Sequence, residues 1–461
     1  MSKACYAGIS DYYSFFEVDR IHSAGIKGVH AKVGIIEPNG VLNSELSVFK
    51  RHKDQIFMHP VLTSLITVPS SEKERRLLSA LYGYVAHSFI VNDHAISVSA
   101  LVKGDCEEFR YSGIAPQAML NCYMISKRDL LEYGYYLYSH AYVGSGIYTP
   151  RNYFENLKLF ARDHDFSYLT QLLHLEQKMS LEDLLCDYER LLSPYVNLDA
   201  PINDSLLQTM LKAIEHNHVV NMSLPLIMLQ DPFYGLCEEG AFPTVEREGG
   251  LYDFKNSWRI PDPILNTIGD ALEKRNSILV LAAMSDAKDI TQSYNAQGWF
   301  SLYGYFKQFV DHPKISSRIV IAGNIEDVPM DSPSKIAVQN PSGDVFSVSL
   351  NSTSNYPGED VALQNAFICA PGTNIKCAVK ENQFTEQTGT SLSAPLISDV
   401  IGLMQDDSYQ RTGAYRDAVD IVAEIRRTAC SLGEPFKYGR GLINPRALFP
   451  EIFKELLTDK V

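Results

Sequence analysis

Short apolar runs rich in β-branched residues alternate along this chain with segments whose apolar residues recur at helical spacing. Such alternation is typical of a parallel sheet whose strands are joined by crossover helices. The runs that predict strands lie at 33–37, 119–125, 218–224, 277–283, 319–322 and 367–370. The segments that predict helices between them lie at 95–102, 206–216 and 263–274. The pattern therefore predicts an α/β fold with a doubly wound, three-layer parallel sheet.

The alternation stops at about 127–197, where the sequence is rich in tyrosine and leucine and has no strand pattern. Within this stretch, Ser180 and Asp183 form a capping-box start for a helix that ends near Leu192. We interpret the stretch as a helical insertion. The predicted organisation is an N-terminal extension at 1–31, a domain at 32–448 that contains the insertion, and a C-terminal tail at 449–461.

The chain has 461 residues and a formal net charge of −14. Attraction to a nucleic-acid backbone needs a basic surface, so the charge excludes nucleic acid as the main partner. No apolar run approaches the roughly 20 residues that span a bilayer, and the N-terminus lacks the apolar core of a signal peptide. We therefore expect no membrane span, and a protein that is cytoplasmic or is delivered to another cell without a cleavable signal.

The eight cysteines are scattered along the chain and include no C-x-x-C pair. In a chain without a secretory signal, this spacing predicts reduced, mostly buried thiols rather than a disulfide or zinc framework. No segment has the pattern of a calcium loop. The sequence thus gives no reason to expect a metal or another cofactor.

One small-residue turn, at 389–395, leads directly into an apolar stretch with helical spacing. Ser391 would therefore lie at a helix N-terminus, where free backbone N–H groups and the positive end of the helix dipole favour an oxyanion. That position suits the nucleophile of an acyl-transfer reaction. By itself, the same turn fits equally well a capped, buried helix whose small residues allow close packing.

A carboxylate and an imidazole occupy two further places where sites are commonly built. Glu37 follows a predicted apolar strand and precedes a Pro-Asn-Gly turn, so it lies at a carboxyl end of the sheet, where ligands bind in α/β folds. His94 lies in the first turn of a predicted helix. Taken singly, Glu37 can be the first polar residue after a buried strand, and His94 an ordinary surface or capping residue.

Together these segments resemble the subtilisin-like serine proteases, also called subtilases or the peptidase S8 family. The turn at Ser391 matches their Gly-Thr-Ser-x-x-x-Pro nucleophile signature, and Glu37 stands where their acid strand usually has aspartate. The likeness extends over about 32–448. Four more segments occur in the family's order, namely the histidine helix at 93–100, Gly-x-Ala-Pro at 113–116, Ala-Pro-Gly at 370–372 and the Gly-x-Gly-x-x-Asn segment at 439–444.

The resemblance implies a Ser-His-Glu triad that hydrolyses peptide bonds. Ser391 would attack the carbonyl carbon, His94 would transfer the proton, and Glu37 would orient and stabilise the imidazole. Glu37 is one methylene longer than the usual aspartate, so the strand end must shift or the side chain must fold back. These residues predict a serine endopeptidase, a hydrolase, whose partner is a polypeptide substrate.

The resemblance also assigns residues around the triad. Ser285 stands where the family usually has an asparagine that donates to the oxyanion, and Met284 stands where it has a small residue. Ser223 and Leu224 correspond to the strand that binds substrate, but Pro225 follows where glycines are frequent. The loss of the amide removes a donor to the oxyanion, whereas Met284 and Pro225 indicate a restricted pocket and therefore narrow specificity.

Two other functions remain compatible with the sequence. Glu37 and Ser285 also fit a pseudoprotease that binds polypeptides along an edge strand without cutting them. An esterase or amidase could use the same serine and histidine on small substrates, because the fold alone does not fix the reaction.

Only about thirty residues precede the first predicted strand, so we expect folding without a propeptide domain. The oligomeric state is left open.

Overall fold

The computed structural model describes residues 8–38, 44–60, 93–125, 205–223, 262–292 and 302–454. Within these ranges the strands of the main sheet are β1 (Lys32–Pro38), β2 (Ile56–Pro60), β5 (Met119–Ile125), β6 (Val219–Met222), β7 (Ile278–Ala282), β8 (Ile319–Asp327), β9 (Ile336–Gln339), β10 (Val345–Leu350) and β11 (Phe367–Pro371). Their order across the sheet is β2-β5-β1-β6-β7-β8-β10-β9, and β11 pairs with β8. Two small antiparallel ribbons pair β3 (Asp105–Cys106) with β4 (Tyr111–Ser112) and β12 (Ile375–Val379) with β13 (Gln383–Gln387).

The helices alternate with the strands. The longer ones are α3 (Asp93–Lys103), α4 (Ser205–His216), α5 (Asp262–Arg275), α6 (Leu302–Asp311), α8 (Thr390–Thr412) and α9 (Ala418–Thr428). The shorter ones are α1 (Tyr12–Phe15), α2 (Val18–Ser23), α7 (Val361–Ala366), α10 (Pro435–Tyr438), α11 (Pro445–Leu448) and α12 (Pro450–Phe453), with 3₁₀ turns at Lys50–Gln55, Ile290–Gln292 and Lys380–Asn382.

The predicted fold class is confirmed. Strands β2, β5, β1, β6, β7, β8 and β11 are parallel to one another. The strands and helices predicted within the described residues begin within two residues of observed elements. The antiparallel extension from β8 through β10 to β9 was not predicted. Strands β6, β7 and β11 are buried along their whole length, which explains why they read as continuous apolar runs.

Strand β1 separates two helical layers, because successive side chains of a strand point to opposite faces. The Val33 side chain lies near Gly402 of α8, whereas a Cβ on Gly34 would clash with Asn217, which follows α4. Glu37 has the same parity as Val33. The strand therefore directs its terminal carboxylate toward the face covered by α3 and α8.

Residues ahead of β1 pack closely against the sheet domain. Ile9, Phe16 and Ile21 are buried, and the Ile9 backbone N–H donates to the Asp327 carboxylate at the end of β8. Residues 8–31 thus contribute to the core beside the predicted domain at 32–448. The proposed helical insertion at 127–197 lies outside the described residues, as does the tail beyond residue 454.

The described cysteines are free thiols, as their spacing predicted; they are Cys106, Cys122, Cys369, Cys377 and Cys430. Burial raises the pKa of Cys122 and of Cys377 to about 12. A buried thiol with a raised pKa is a poor nucleophile. Cys122 and Cys377 therefore contribute to packing and are poorly suited to act as nucleophiles.

Candidate active site

Glu37 and His94 form a hydrogen-bonded pair. Glu37 lies near the carboxyl end of β1 with its side chain completely buried, and its Oε2 is 2.7 Å from His94 Nδ1. The negative charge of Glu37 raises the pKa of His94 above its ordinary value, although burial opposes this shift. The longer glutamate side chain therefore reaches the imidazole, as the predicted acid and base of a triad require.

The position of His94 is fixed by α3 and by the ribbon that follows β11. Asp93 is the first residue of α3, and its Oδ1 accepts the backbone N–H of Lys380 at 2.8 Å. Farther along the helix, Ser97 Oγ donates to the carbonyl of Ala378 at 3.0 Å. These bonds attach the histidine helix to the β12–β13 ribbon, which leads directly into the turn at Ser391.

Ser391 is the second residue of α8, and the N-cap residue of this helix, Gly389, supplies no side-chain cap. Its hydroxyl donates to the carbonyl of Ser223 at 3.0 Å. In return, Ser223 Oγ donates to the carbonyl of Ser391 at 2.9 Å. The predicted nucleophile and the predicted substrate-strand residue are thus held together by two reciprocal bonds.

The sheet register brings these two pairs side by side. Ile36 of β1 is level with Met222 of β6, so Glu37 and Ser223 are the next residues at the carboxyl ends of neighbouring parallel strands. Helices α3 and α8 also contact each other. Because the single hydroxyl proton of Ser391 is donated to the Ser223 carbonyl, a bond to the imidazole requires this proton to turn away from Ser223.

Ser285 lies beside the nucleophile turn. Its Oγ accepts the backbone N–H of Thr390 at 3.3 Å and lies 3.5 Å from Thr390 Oγ1, a contact in which either hydroxyl can donate. A Cβ built on Gly389 would be 3.8 Å from both Ser285 Oγ and the Ser391 nitrogen. The space beside Gly389 is thus flanked by a hydroxyl and by a helix N-terminal N–H.

The turn that carries Ser285 is shaped by Asn355, which the sequence analysis did not identify. This buried side chain donates to the carbonyl of Ala283 and accepts the N–H groups of Asp286 and Lys288. Met284 within the turn has a φ of 75°, a left-handed conformation that glycine adopts without strain. Asn355 is distant in sequence, so no local pattern could have indicated it.

Other predictions concern groups outside these contacts. Leu224, the second predicted substrate-binding residue, lies outside the described residues. Across the ranges that are described, no three metal-binding side chains cluster as a candidate ion site. Of the helices described, none combines the length and apolar character needed to cross a bilayer.

No protein-family profile matches the chain. Two curated proteins of Arabidopsis thaliana, subtilisin-like proteases SBT3.10 and SBT3.9, are each 32% identical to it, over 117 and 118 residues. The chain resembles the subtilisin-like serine proteases. The matched segment covers 21% of this chain and 15% of the length of each relative.

Solved structures of maturation enzymes are similar over most of the chain at low identity. The PatG macrocyclase domain is 13% identical, covers 95% of this chain and 95% of its own, and has a TM-score of 0.49. The prenylagaramide maturation protease PagA is 12% identical, covers 94% of this chain and 98% of its own, and has a TM-score of 0.45. The family resemblance predicted from motif order is borne out by the two curated relatives over the matched segment. The roles of single residues stay predictions.

Proposed function

We propose that this chain is a serine endopeptidase in which Ser391, His94 and Glu37 form the catalytic triad. The observation that carries the proposal is the 2.7 Å bond between Glu37 and His94. It is supported by the register of β1 and β6, which puts Glu37 next to Ser223, the hydrogen-bond partner of Ser391. A buried carboxylate bonded to one ring nitrogen fixes the tautomer of the imidazole. The other nitrogen is then the one that takes the serine proton.

The reaction would proceed in two acyl-transfer steps. Ser391 Oγ forms a bond to the carbonyl carbon of the scissile peptide while its proton passes to His94. The C–N bond then breaks, and the imidazolium gives that proton to the leaving amine. A water molecule, deprotonated by His94, next attacks the acyl-enzyme, releases the carboxylic acid and restores Ser391.

Charge on the carbonyl oxygen would be stabilised by the Ser391 backbone N–H and by the Ser285 hydroxyl. This assignment is supported by the position of Ser285 Oγ, which accepts the Thr390 N–H at 3.3 Å in the same turn as Ser391. Donors already oriented toward the developing charge lower the barrier most, because they need little reorganisation.

Ser223, and Leu224 after it, would bind the polypeptide along the adjacent strand end. Met284, which stands beside the scissile bond where the family has a small residue, favours narrow specificity.

A polypeptide-binding pseudoprotease is the second candidate. It is favoured by one observation, namely that the Ser391 hydroxyl donates to a backbone carbonyl rather than to the imidazole. Hydrogen bonds of active sites often form only once substrate is bound, so this geometry is also compatible with an enzyme. Turnover is therefore the property that separates the two candidates.

The test is cleavage of a diverse peptide library by the purified chain, with products identified by mass spectrometry. The enzyme proposal predicts cleavage at a restricted set of sequences, and its loss in both Ser391→Ala and His94→Ala. His30→Ala is the matched control, because His30 also bonds a buried carboxylate, that of Asp406, at 2.8 Å. His30 lies before the amino end of β1, roughly 20 Å away at about 3.3 Å per residue, and its variant should keep activity. Peptides that bind but are never cut would favour the pseudoprotease.

A further inference from the structure

A chain of buried hydrogen bonds connects the interior of α8 to the candidate nucleophile. Ser398 Oγ is 3.2 Å from Asn221 Oδ1, Asn221 Nδ2 is 2.9 Å from Ser223 Oγ, and Ser223 Oγ is 2.9 Å from the Ser391 carbonyl oxygen. Ser398 and Asn221 are completely buried, and Ser223 is nearly so. Water therefore has little opportunity to replace any of these bonds.

The donors of this chain all point the same way. A hydroxyl has one proton, so Ser223 can donate to the Ser391 carbonyl only if it accepts from the amide nitrogen of Asn221. Asn221 presents that nitrogen to Ser223 because its oxygen faces Ser398. If the amide turned over, its oxygen would take the Ser223 proton and the Ser391 carbonyl would lose this donor.

Ser398 is thus the residue that selects the amide orientation. Its proton is shared between Asn221 Oδ1 and the carbonyl of Ala394, which lies 3.0 Å away. Without the Ser398 hydroxyl, Asn221 Oδ1 would lose its donor, and an unpaired buried oxygen is unfavourable. A turned amide would then become competitive.

We propose that Ser398 and Asn221 are positioning residues for Ser391, acting through Ser223. The inference rests on the proposed function, since it assigns the network a role in the reactivity of Ser391. The bond to the Ser391 carbonyl holds the backbone of the turn while the hydroxyl proton of Ser391 turns from the Ser223 carbonyl toward the imidazole. Reactivity then depends on a side chain two turns farther along the helix that touches no substrate.

The experiment measures covalent labelling of Ser391 by a fluorophosphonate at several probe concentrations. Ser398→Ala should lower the labelling rate at saturating probe roughly tenfold and leave the half-saturating concentration unchanged, because displacement of a reacting group acts on the chemical step. Ser398→Thr keeps the hydroxyl and should restore the rate. Ser277→Ala is the matched control, because Ser277 is also completely buried and bonds backbone carbonyls, but at the amino end of β7.

Each outcome decides a separate point. A Ser398→Ala protein that is labelled at the wild-type rate overturns the positioning role, while the proposed function stands. An equal loss in Ser277→Ala would also overturn it, because the effect would then follow from lost stability alone. If Ser398→Ala does not fold, Asn221→Asp replaces it, since a carboxylate can only accept and should draw the Ser223 proton away from Ser391. A wild-type chain that is never labelled refutes the proposed function and this inference together.

Discussion

Replacing Glu37 with glutamine removes the negative charge beside His94 and leaves the length of the side chain unchanged. The bond it alters is the 2.7 Å contact between Glu37 Oε2 and His94 Nδ1. A neutral amide can present its N–H to this nitrogen and so stabilise the tautomer that cannot accept the serine proton. Loss of the acid by such a change lowers kcat by roughly 10,000-fold in a triad enzyme.

Glu37→Asp tests length while it keeps the charge. Removing one methylene withdraws the carboxylate by about 1.5 Å, so the contact lengthens from 2.7 Å to roughly 4 Å unless the backbone moves. That distance is beyond hydrogen-bonding range. Glu37 Oε1 is already buried without a partner, and the shorter side chain would leave both oxygens in that condition. We expect a loss between about 100-fold and 10,000-fold, even though aspartate is the usual residue of the family.

The pH dependence gives an independent test. Glu37 raises the pKa of His94 above 6.5, and a general base is active when neutral, so wild-type activity should rise with pH through that raised pKa. In Glu37→Gln only burial still shifts the pKa of His94, and it lowers this pKa, so the acid limb of the pH–activity profile should move to lower pH.

The pair of Glu37 and His94 also stabilises the fold when His94 is protonated, below pH 6.5, and this contribution disappears as pH rises through the raised pKa of His94. Glu37→Gln should therefore lose more stability in acid than at pH 8.

The assay is the second-order rate of fluorophosphonate labelling from pH 5 to pH 9, with melting temperatures measured on the same samples. His30→Ala is again the control for loss of a histidine bonded to a carboxylate. A Glu37→Gln protein whose rate is within threefold of wild type, or whose acid limb does not move, would refute the role assigned to Glu37.

Three further outcomes follow from the described contacts. Ser285→Ala should lower kcat by at most the roughly 100- to 1,000-fold typical of an oxyanion donor and should change KM little. Ser285→Asn should retain or exceed wild-type activity. Equal kinetics in the wild type and both variants would show that Ser285 is not part of the oxyanion site. Burial raises the pKa of Asp399 well above its ordinary value, so the stability of the wild-type chain should fall as pH rises above about 4. Asp399→Asn should match wild type near pH 4 and melt at a higher temperature at pH 8, and each tenfold change in the proton affinity of the carboxylate corresponds to about 1.4 kcal/mol. Melting curves of the two proteins that coincide at every pH would contradict this. The Cys122 thiol should resist iodoacetamide in the folded chain and react after denaturation, as peptide mapping would report; rapid alkylation of the native protein would show that the thiol is not buried.

The predicted elements that matched the structure have strong local signals. Parallel strands buried on both faces leave continuous apolar runs, and helices leave their own periodicity, so β6, β7 and α5 could be recognised from short windows. Strands β9 and β13 could not, because each has several exposed residues and neither has a clear apolar alternation. Their pairing depends on neighbours that the local pattern does not reveal.

The site divides in the same way. Ser391, His94 and Glu37 could be proposed because each lies at the end of a regular element and matches a motif. The bond between Ser391 and Ser223 joins residues 168 positions apart, and Asn355 is 69 positions from Asp286, so neither contact has a sequence period. The left-handed backbone at Met284 was equally hidden, although the replacement of a usually small residue marked the position.

The central claim is that Glu37, His94 and Ser391 act together on one acyl group, and identifying the residue modified by a fluorophosphonate tests it most directly. Digestion and mass spectrometry of the labelled chain should place the phosphonate on Ser391. The adduct should be absent from Ser391→Ala and greatly reduced in His94→Ala, while both variants stay folded. An adduct on another residue, or a folded wild-type chain that carries none, would contradict the account.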